Sequence, residues 1–283
     1  LARRCAMAET LVQGGHGLTS PTFDRRGRLL VASSNSGEVH QVVTEGASST
    51  LQTIFNTGGS PSSLCVDVEG AVFVCDVAHQ AVFRHGEDGQ LSEFVKEYEA
   101  KPFKGPSAML LDSGGNMFFT DSGPLGETTL QSPKGSIFLI SADGQLLQPL
   151  LLEALAHPCA LALGLDERVI FVAEKMQNRL LRLVQRPAGV YHCSVFHQLS
   201  GGLGPSGIAR DPQGNLYVTR YDFAPAEEGV TKPGTISKIS PEGKLLEEIA
   251  TPAPELTGIC ISPEQDALFV TEASTNVVYR IPL

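Results

Sequence analysis

The sequence contains no tryptophan, and only 6% of its 283 residues are aromatic. It has no apolar run approaching the ~18–20 residues that cross a bilayer as a helix. Its aliphatic stretch from Leu146 to Leu155 is interrupted by Gln148, Pro149 and Glu153, so no transmembrane segment is expected. Basic residues are scarce: 21 Lys and Arg stand against 31 Asp and Glu, a net charge of −10. A nucleic-acid binder needs a clustered basic face to neutralise phosphates, and its absence excludes DNA and RNA as partners. The cysteines (Cys5, Cys65, Cys75, Cys159, Cys193, Cys260) form no Cys-x-x-Cys pair and no zinc-ligand spacing. Four of them sit in apolar strand-like runs, where a thiol behaves as a small hydrophobe. That usage points to a reducing, intracellular compartment, with the cytosol and an organelle such as the mitochondrion both open. Arg3 and Arg4, with no acid before Glu9, are what the tail of an Arg-rich organellar presequence would leave.

What the chain does have is punctuation. With 29 Gly, 18 Pro and 42% hydrophobic residues, it is too apolar for disorder and too Gly-rich for a helical bundle. A tight turn followed by a short apolar strand recurs as Asp24-Arg-Arg-Gly to Val31, Asp67-Val-Glu-Gly to Val74 and Asp112-Ser-Gly-Gly to Phe119. It returns in degenerate form from Gly164 to Val172, then as Asp211-Pro-Gln-Gly to Val218, and finally from Pro263 to Val270. The strand ends are separated by 43, 45, 53, 46 and 52 residues, the period of propeller blades. Two further strands close each unit, as in Gly135–Ser141 and Gly234–Ser240, with Asp143-Gly144 and Glu242-Gly243 supplying hairpin turns.

The expectation is an all-β, six-bladed β-propeller of four-stranded antiparallel blades forming one domain over 1–283. The blades fall at about 18–59, 60–104, 105–155, 156–203, 204–254 and 255–283. The last unit is one strand short, and residues 8–13 supply it, which leaves no long open edge.

Three stretches resemble the gluconolactonase, regucalcin (senescence marker protein) and strictosidine synthase family of propellers, with a more distant likeness to NHL repeats. They are Phe118-Phe-Thr-Asp-Ser122 with Gly135-Ser-Ile-Phe-Leu; Val172-Ala-Glu174 with Asn178-Arg-Leu-Leu-Arg182; and Pro205 to Val218 with Leu256 to Thr271. The resemblance spans essentially the whole chain. It implies that the first residues of the innermost strands point into the mouth of a central channel. Lactone-hydrolysing members place a Glu, one or two Asn and an Asp there to hold a divalent cation. The matching positions here read Thr19, Ser62, Ser107, Cys159, Ser206 and Thr257. Five hydroxyls and one thiol offer no anionic oxygen to a hard cation, so no metal and no cofactor is expected. The Glu of the last blade in strictosidine synthase is likewise matched by Thr257, with Glu255 two residues out of register.

A second ring lies two residues beyond each strand end: Ser33, Asp76, Asp121, Glu174, Arg220 and Glu272. It reads either as a polar ligand site or, more simply, as side chains that accept backbone N–H groups of the next loop. Arg220 breaks the acidic pattern and is placed to pair with Glu174 or Glu272. Two long loops, Gly123 to Lys134 and Tyr221 to Pro233 (with Glu227, Glu228 and Lys232), are positioned to fold over the channel mouth. His157 precedes Cys159 near the first ring, and a thiol–imidazole nucleophile pair is one reading of that spacing; a packed thiol is the other. No nucleophile elbow, P-loop or dinucleotide fingerprint occurs.

The intact scaffold and the missing ligands together lead to an expected role as a catalytically diverged module that binds or assembles other proteins. Two alternatives stay open: a hydrolase of lactones or small esters with a non-standard site that relies on the acidic second ring, the one reading under which a divalent cation is expected, and a propeller that binds a small polar ligand at its mouth.

Overall fold

The computed structural model describes residues 2–4, 8–225, 227 and 232–283; Cys5 and Glu228 lie outside them. Blade 1 consists of Leu18–Phe23, Leu29–Ser33, Glu38–Glu45 and Ser48–Asn56 in antiparallel order, and the same order repeats around the molecule. The innermost strands of blades 2 to 6 are Pro61–Val66, Pro106–Leu111, Pro158–Leu163, Gly204–Arg210 and Leu256–Ile261. The all-β, six-bladed propeller is therefore the observed fold. Its closure is also as expected: Glu9–Gln13 runs antiparallel to Val277–Pro282 as the outer strand of blade 6, with Thr10 opposite Tyr279. One pairing goes beyond the expected repeat, for Ala2–Arg4 adds a fifth, parallel strand to Leu245–Thr251 of blade 5. Among the described residues no helix is long and apolar enough to cross a membrane.

The turn motif is locally determined. The Asp24 carboxylate accepts the amides of Arg26 and Arg28, at 2.9 and 2.8 Å. Asp211 does the same for Gln213 and Asn215, at 3.0 and 2.7 Å. The glycine at the fourth position adopts a left-handed φ, +74° at Gly27 and +85° at Gly214, which a side chain would resist. The second strand of each blade is covered on both faces, because neighbouring blades pack flat against it; Leu29–Ser33, Val72–Asp76 and Met117–Asp121 are buried at every residue. That is why these strands read as continuous apolar runs instead of alternating ones.

Among the described residues, buried side chains gather in six clusters, each shared by two adjacent blades. The few aromatics are concentrated between blades 2 and 3, where the rings of Phe103, Phe119 and Phe138 lie 5.2–5.3 Å apart. The six innermost strands converge on the axis and leave a narrow channel of about 120 Å³.

Candidate functional site at the channel mouth

Each innermost strand begins with an irregularity that aims one side chain at the axis. In blade 2 the pairing steps from Pro61 opposite Asp76 to Ser63 opposite Cys75, which leaves Ser62 as the extra residue of a β-bulge. Ser107, Cys159, Ser206 and Thr257 are skipped in the same way. Blade 1 departs slightly: Thr19 stays paired with Ala32, and the irregularity falls on Ser20 and Pro21. All six first-ring residues line both the channel and a wider cavity of about 470 Å³ at its mouth.

Their polar atoms have a common structural task. Five of the six, all but Thr19, donate to the carbonyl of the first or second residue of the next innermost strand, so the ring is a belt that clasps blade to blade. Ser62 Oγ donates to Pro106 at 3.0 Å, Ser107 Oγ to Pro158 at 3.0 Å and Cys159 Sγ to Pro205 at 3.2 Å. Ser206 Oγ donates to Leu256 and Thr257 Oγ1 to Leu18, both at 2.6 Å. Between blades 1 and 2 the clasp is made differently, by Thr22 Oγ1 donating to the Leu64 carbonyl and by the Leu64 amide donating to Ser20 Oγ.

The second ring faces away from the mouth. Asp76, Asp121, Glu174 and Glu272 are 0–3% exposed and accept hydrogen bonds from the chain entering the innermost strands. Asp76 takes the Ser60 and His79 amides, both at 3.0 Å. Asp121 takes those of Lys104 and Gly105, and Glu174 that of Ala156 at 2.7 Å together with Arg179 Nε at 2.6 Å. Glu272 takes the Glu255, Ser274 and Thr275 amides. Burial lifts the Asp121 carboxyl above the usual range, against the pull of its two amide partners. Ser33 Oγ meets His40 Nε2 at 2.9 Å. The expected partner of Arg220 is corrected: its guanidinium reaches neither Glu174 nor Glu272, but pairs with Glu248 at 3.2 Å and donates to the Gly201 carbonyl at 2.8 Å. Those two carboxylates are already saturated by their own loops, whereas Glu248 lies beside Arg220 within blade 5.

A divalent cation does not fit this donor set. The ring atoms at the axis are neutral, and all but that of Thr19 are already engaged with carbonyls, while the nearby carboxylates are turned into the scaffold. Hard cations need several oxygens, including anionic ones. Among the described residues no three His, Cys, Asp or Glu side chains come together as a metal site.

The mouth cavity holds more than the first ring. Ser34, Asn35, Ser60, His157, Lys175 and Tyr221 also line it, and Gly123, Pro124 and Leu125 of the first long loop form one wall. His157 is 6% exposed and has a left-handed backbone, φ +60°. Its amide donates to Thr128 Oγ1 of that loop at 2.9 Å, and its carbonyl accepts the Lys175 amide at 3.0 Å. Its Nδ1 has no hydrogen-bond partner. Burial, reinforced by the Lys175 charge, pushes the imidazole down to about 3, so it is neutral across the physiological range. The thiol–imidazole pair does not assemble: Cys159 donates to the Pro205 and Ala173 carbonyls, and burial pushes its thiol up. Lys175 Nζ lies over the Tyr221 ring, 4.9 Å from its centroid.

Lys175 and Tyr221 were not among the expected site residues. A signal existed, because each follows a second-ring member by one residue, as do Ser34 and Val77, and strand alternation turns that next side chain toward the mouth.

Comparison with known proteins places these features in a family context. Residues 19–274 match the model of the SMP-30/Gluconolactonase/LRE-like region. Lactonase drp35 of Staphylococcus haemolyticus is 27% identical over 211 residues, covering 70% of this chain and 62% of its own length. The Staphylococcus aureus protein of the same name (strain bovine RF122) is 26% identical, with the same coverage of both chains. The chain thus spans about three-fifths of the length of these curated relatives. Among solved structures, a gluconolactonase from Xanthomonas campestris superposes with a TM-score of 0.81 at 20% identity, over 100% of this chain and 92% of its own. A calcium-binding regucalcin from Agrobacterium tumefaciens gives 0.80 at 17%, over 99% and 95%.

These findings overturn the expectation of a catalytically diverged assembly module, since the curated relatives carry the name lactonase. The expectation went wrong at one step. Missing metal ligands at the axis bear on how a carbonyl would be activated, and they do not decide whether the mouth performs hydrolysis.

Proposed function

The chain belongs to the SMP-30/gluconolactonase/LRE-like family, and from that membership we propose that it hydrolyses lactones or other small carboxylic esters at the channel mouth, without a metal in the ring. The observation that carries this reading is the polar mouth cavity, closed on one side by a long loop and holding a buried neutral imidazole with an unpartnered nitrogen. The lactonase names of the curated relatives support the reaction class.

In the proposed chemistry, water adds to the carbonyl carbon, the ring C–O bond breaks, and the proton lost by water ends on the departing oxygen as a hydroxy acid forms. His157, neutral at the start, takes the proton of the attacking water at a ring nitrogen, is an imidazolium for that step, and returns to neutral by giving the proton to the departing oxygen. The Asn35 amide and the Ser60 hydroxyl, which line the same cavity, are the donors assigned to the carbonyl oxygen as it gains charge. The first-ring residues hold the floor rigid through the clasps between blades.

The test is hydrolysis of five- and six-membered lactones and of p-nitrophenyl acetate, followed before and after chelation with EDTA. Turnover that survives chelation is expected. Absence of turnover above buffer would refute the hydrolase, and turnover abolished by chelation and restored by a divalent cation would refute the metal-free site.

A further inference from the structure

The charge of the mouth cavity is opposite to that of the molecule. The chain carries a net −10, yet the only charged side chain lining the cavity among the described residues is Lys175. The surrounding carboxylates are held elsewhere. Glu174 is bound to Arg179 and the Ala156 amide. Glu255 accepts from the Tyr221 hydroxyl and the Ala224 amide, and Asp222 pairs with Lys232. No carboxylate among the described residues lies within salt-bridge distance of Lys175, whose ammonium instead rests over the Tyr221 ring. A second feature meets it in the same cavity: the 6%-exposed His157, joined to Lys175 through the backbone and left with an unpartnered ring nitrogen.

We propose that this mouth is a carboxylate-recognition site, and that the substrate class is a small lactone or ester bearing a carboxylate. The proposal rests on the hydrolase reading for the word substrate, while the binding of the anion stands by itself. An ammonium in a cavity lined by hydroxyls and shielded from competing carboxylates attracts an anion more strongly than one on an open surface, where solvent and salt screen it. The Tyr221 ring holds the ammonium from one side, as cation–π contacts do, and leaves its other N–H donors free for charge-assisted hydrogen bonds. The carboxylate docks on Lys175, which leaves His157, Asn35 and Ser60 for the reacting carbonyl. The cavity, at about 470 Å³, is of the size that takes small molecules.

Binding is measured by isothermal titration on the full chain with two probes of equal carbon number, gluconate and the uncharged alditol sorbitol. Gluconate is expected to bind at one site and at least about tenfold more tightly than sorbitol, and Lys175→Gln is expected to weaken gluconate by about ten- to a hundredfold while leaving sorbitol unchanged. Lys175 is partly exposed, and circular dichroism with thermal unfolding verifies that the variant is folded. Equal binding of the two probes, no binding of gluconate, or a preference that persists in Lys175→Gln overturns the inference. A pair of lactones separates this from the hydrolase reading: γ-butyrolactone and its 5-carboxylate derivative. If both are hydrolysed with equal kcat/KM and Lys175→Gln changes neither, the hydrolase stands and the carboxylate site falls. If neither is hydrolysed but gluconate binding depends on Lys175, the site stands and the hydrolase falls.

Discussion

Replacing His157 with Asn should make the protein more resistant to acid. His157 is buried and neutral in the fold, with its pKa pushed from the ordinary 6.5 to about 3. Above pH ~6.5 the ring is neutral in both folded and unfolded chains, so it contributes no pH dependence. Between ~6.5 and ~3 the unfolded chain takes up the proton first, and stability falls as pH falls. At about pH 4.5 the shift is worth up to about 2.7 kcal/mol, two pH units at about 1.36 kcal/mol each. For a domain of this size that is roughly 5–8 °C in Tm. Asp121 contributes with the opposite sign, since its raised pKa favours the folded state as pH falls, but it is present in both proteins and cancels in the comparison. Asn is the replacement of choice because it tolerates the left-handed backbone, φ +60° at this position. The assay is thermal unfolding of both proteins at about pH 8 and about pH 4.5. The variant is expected to start lower, having lost packing, and then to lose less Tm on acidification. An equal acid-induced loss in the two proteins would show that His157 is protonated in the fold or exposed to solvent, and the neutral-imidazole assignment would fail with it.

Two further outcomes follow from the architecture. Thr257→Val removes the 2.6 Å clasp from blade 6 to the Leu18 carbonyl of blade 1 and should cost about 1–2 kcal/mol, read as a lower urea midpoint with an unchanged slope; an unchanged midpoint would mean the belt adds nothing to ring closure. Deleting residues 1–14 strips Val277–Pro282 of its antiparallel partner and uncovers the core shared by blades 6 and 1. Unfolding of the whole molecule should move to lower temperature with more aggregation, and an unaltered melting curve would refute closure by the N-terminal strand.

Much of this molecule is encoded over short distances and is therefore legible in the chain. The Asp-x-x-Gly turns depend on one carboxylate accepting amides two and four residues away, so they identify themselves wherever they recur. The spacing of the turns sets the blade count, and an apolar segment near the start matches the strand missing at the end. The six positions at the axis were legible for the same reason, because one register repeats six times. Their roles were decided only by tertiary structure. Whether Ser206 is a ligand or a clasp depends on the Leu256 carbonyl 50 residues away. Whether Glu174 faces the mouth or the scaffold depends on the Ala156 amide and Arg179. Arg220 was assigned partners across the channel, and a closer one, Glu248, holds it. Lys175 carried only a positional signal, one residue after Glu174 of the second ring, and nothing in the chain shows the charge of its surroundings. It becomes distinctive when the fold sets it over Tyr221, 46 residues on, in a cavity lined by no other charged side chain among the described residues. Repetition makes the backbone readable from sequence, but the field inside a cavity is a sum over side chains from different blades, and only the closed ring brings them within reach of one another.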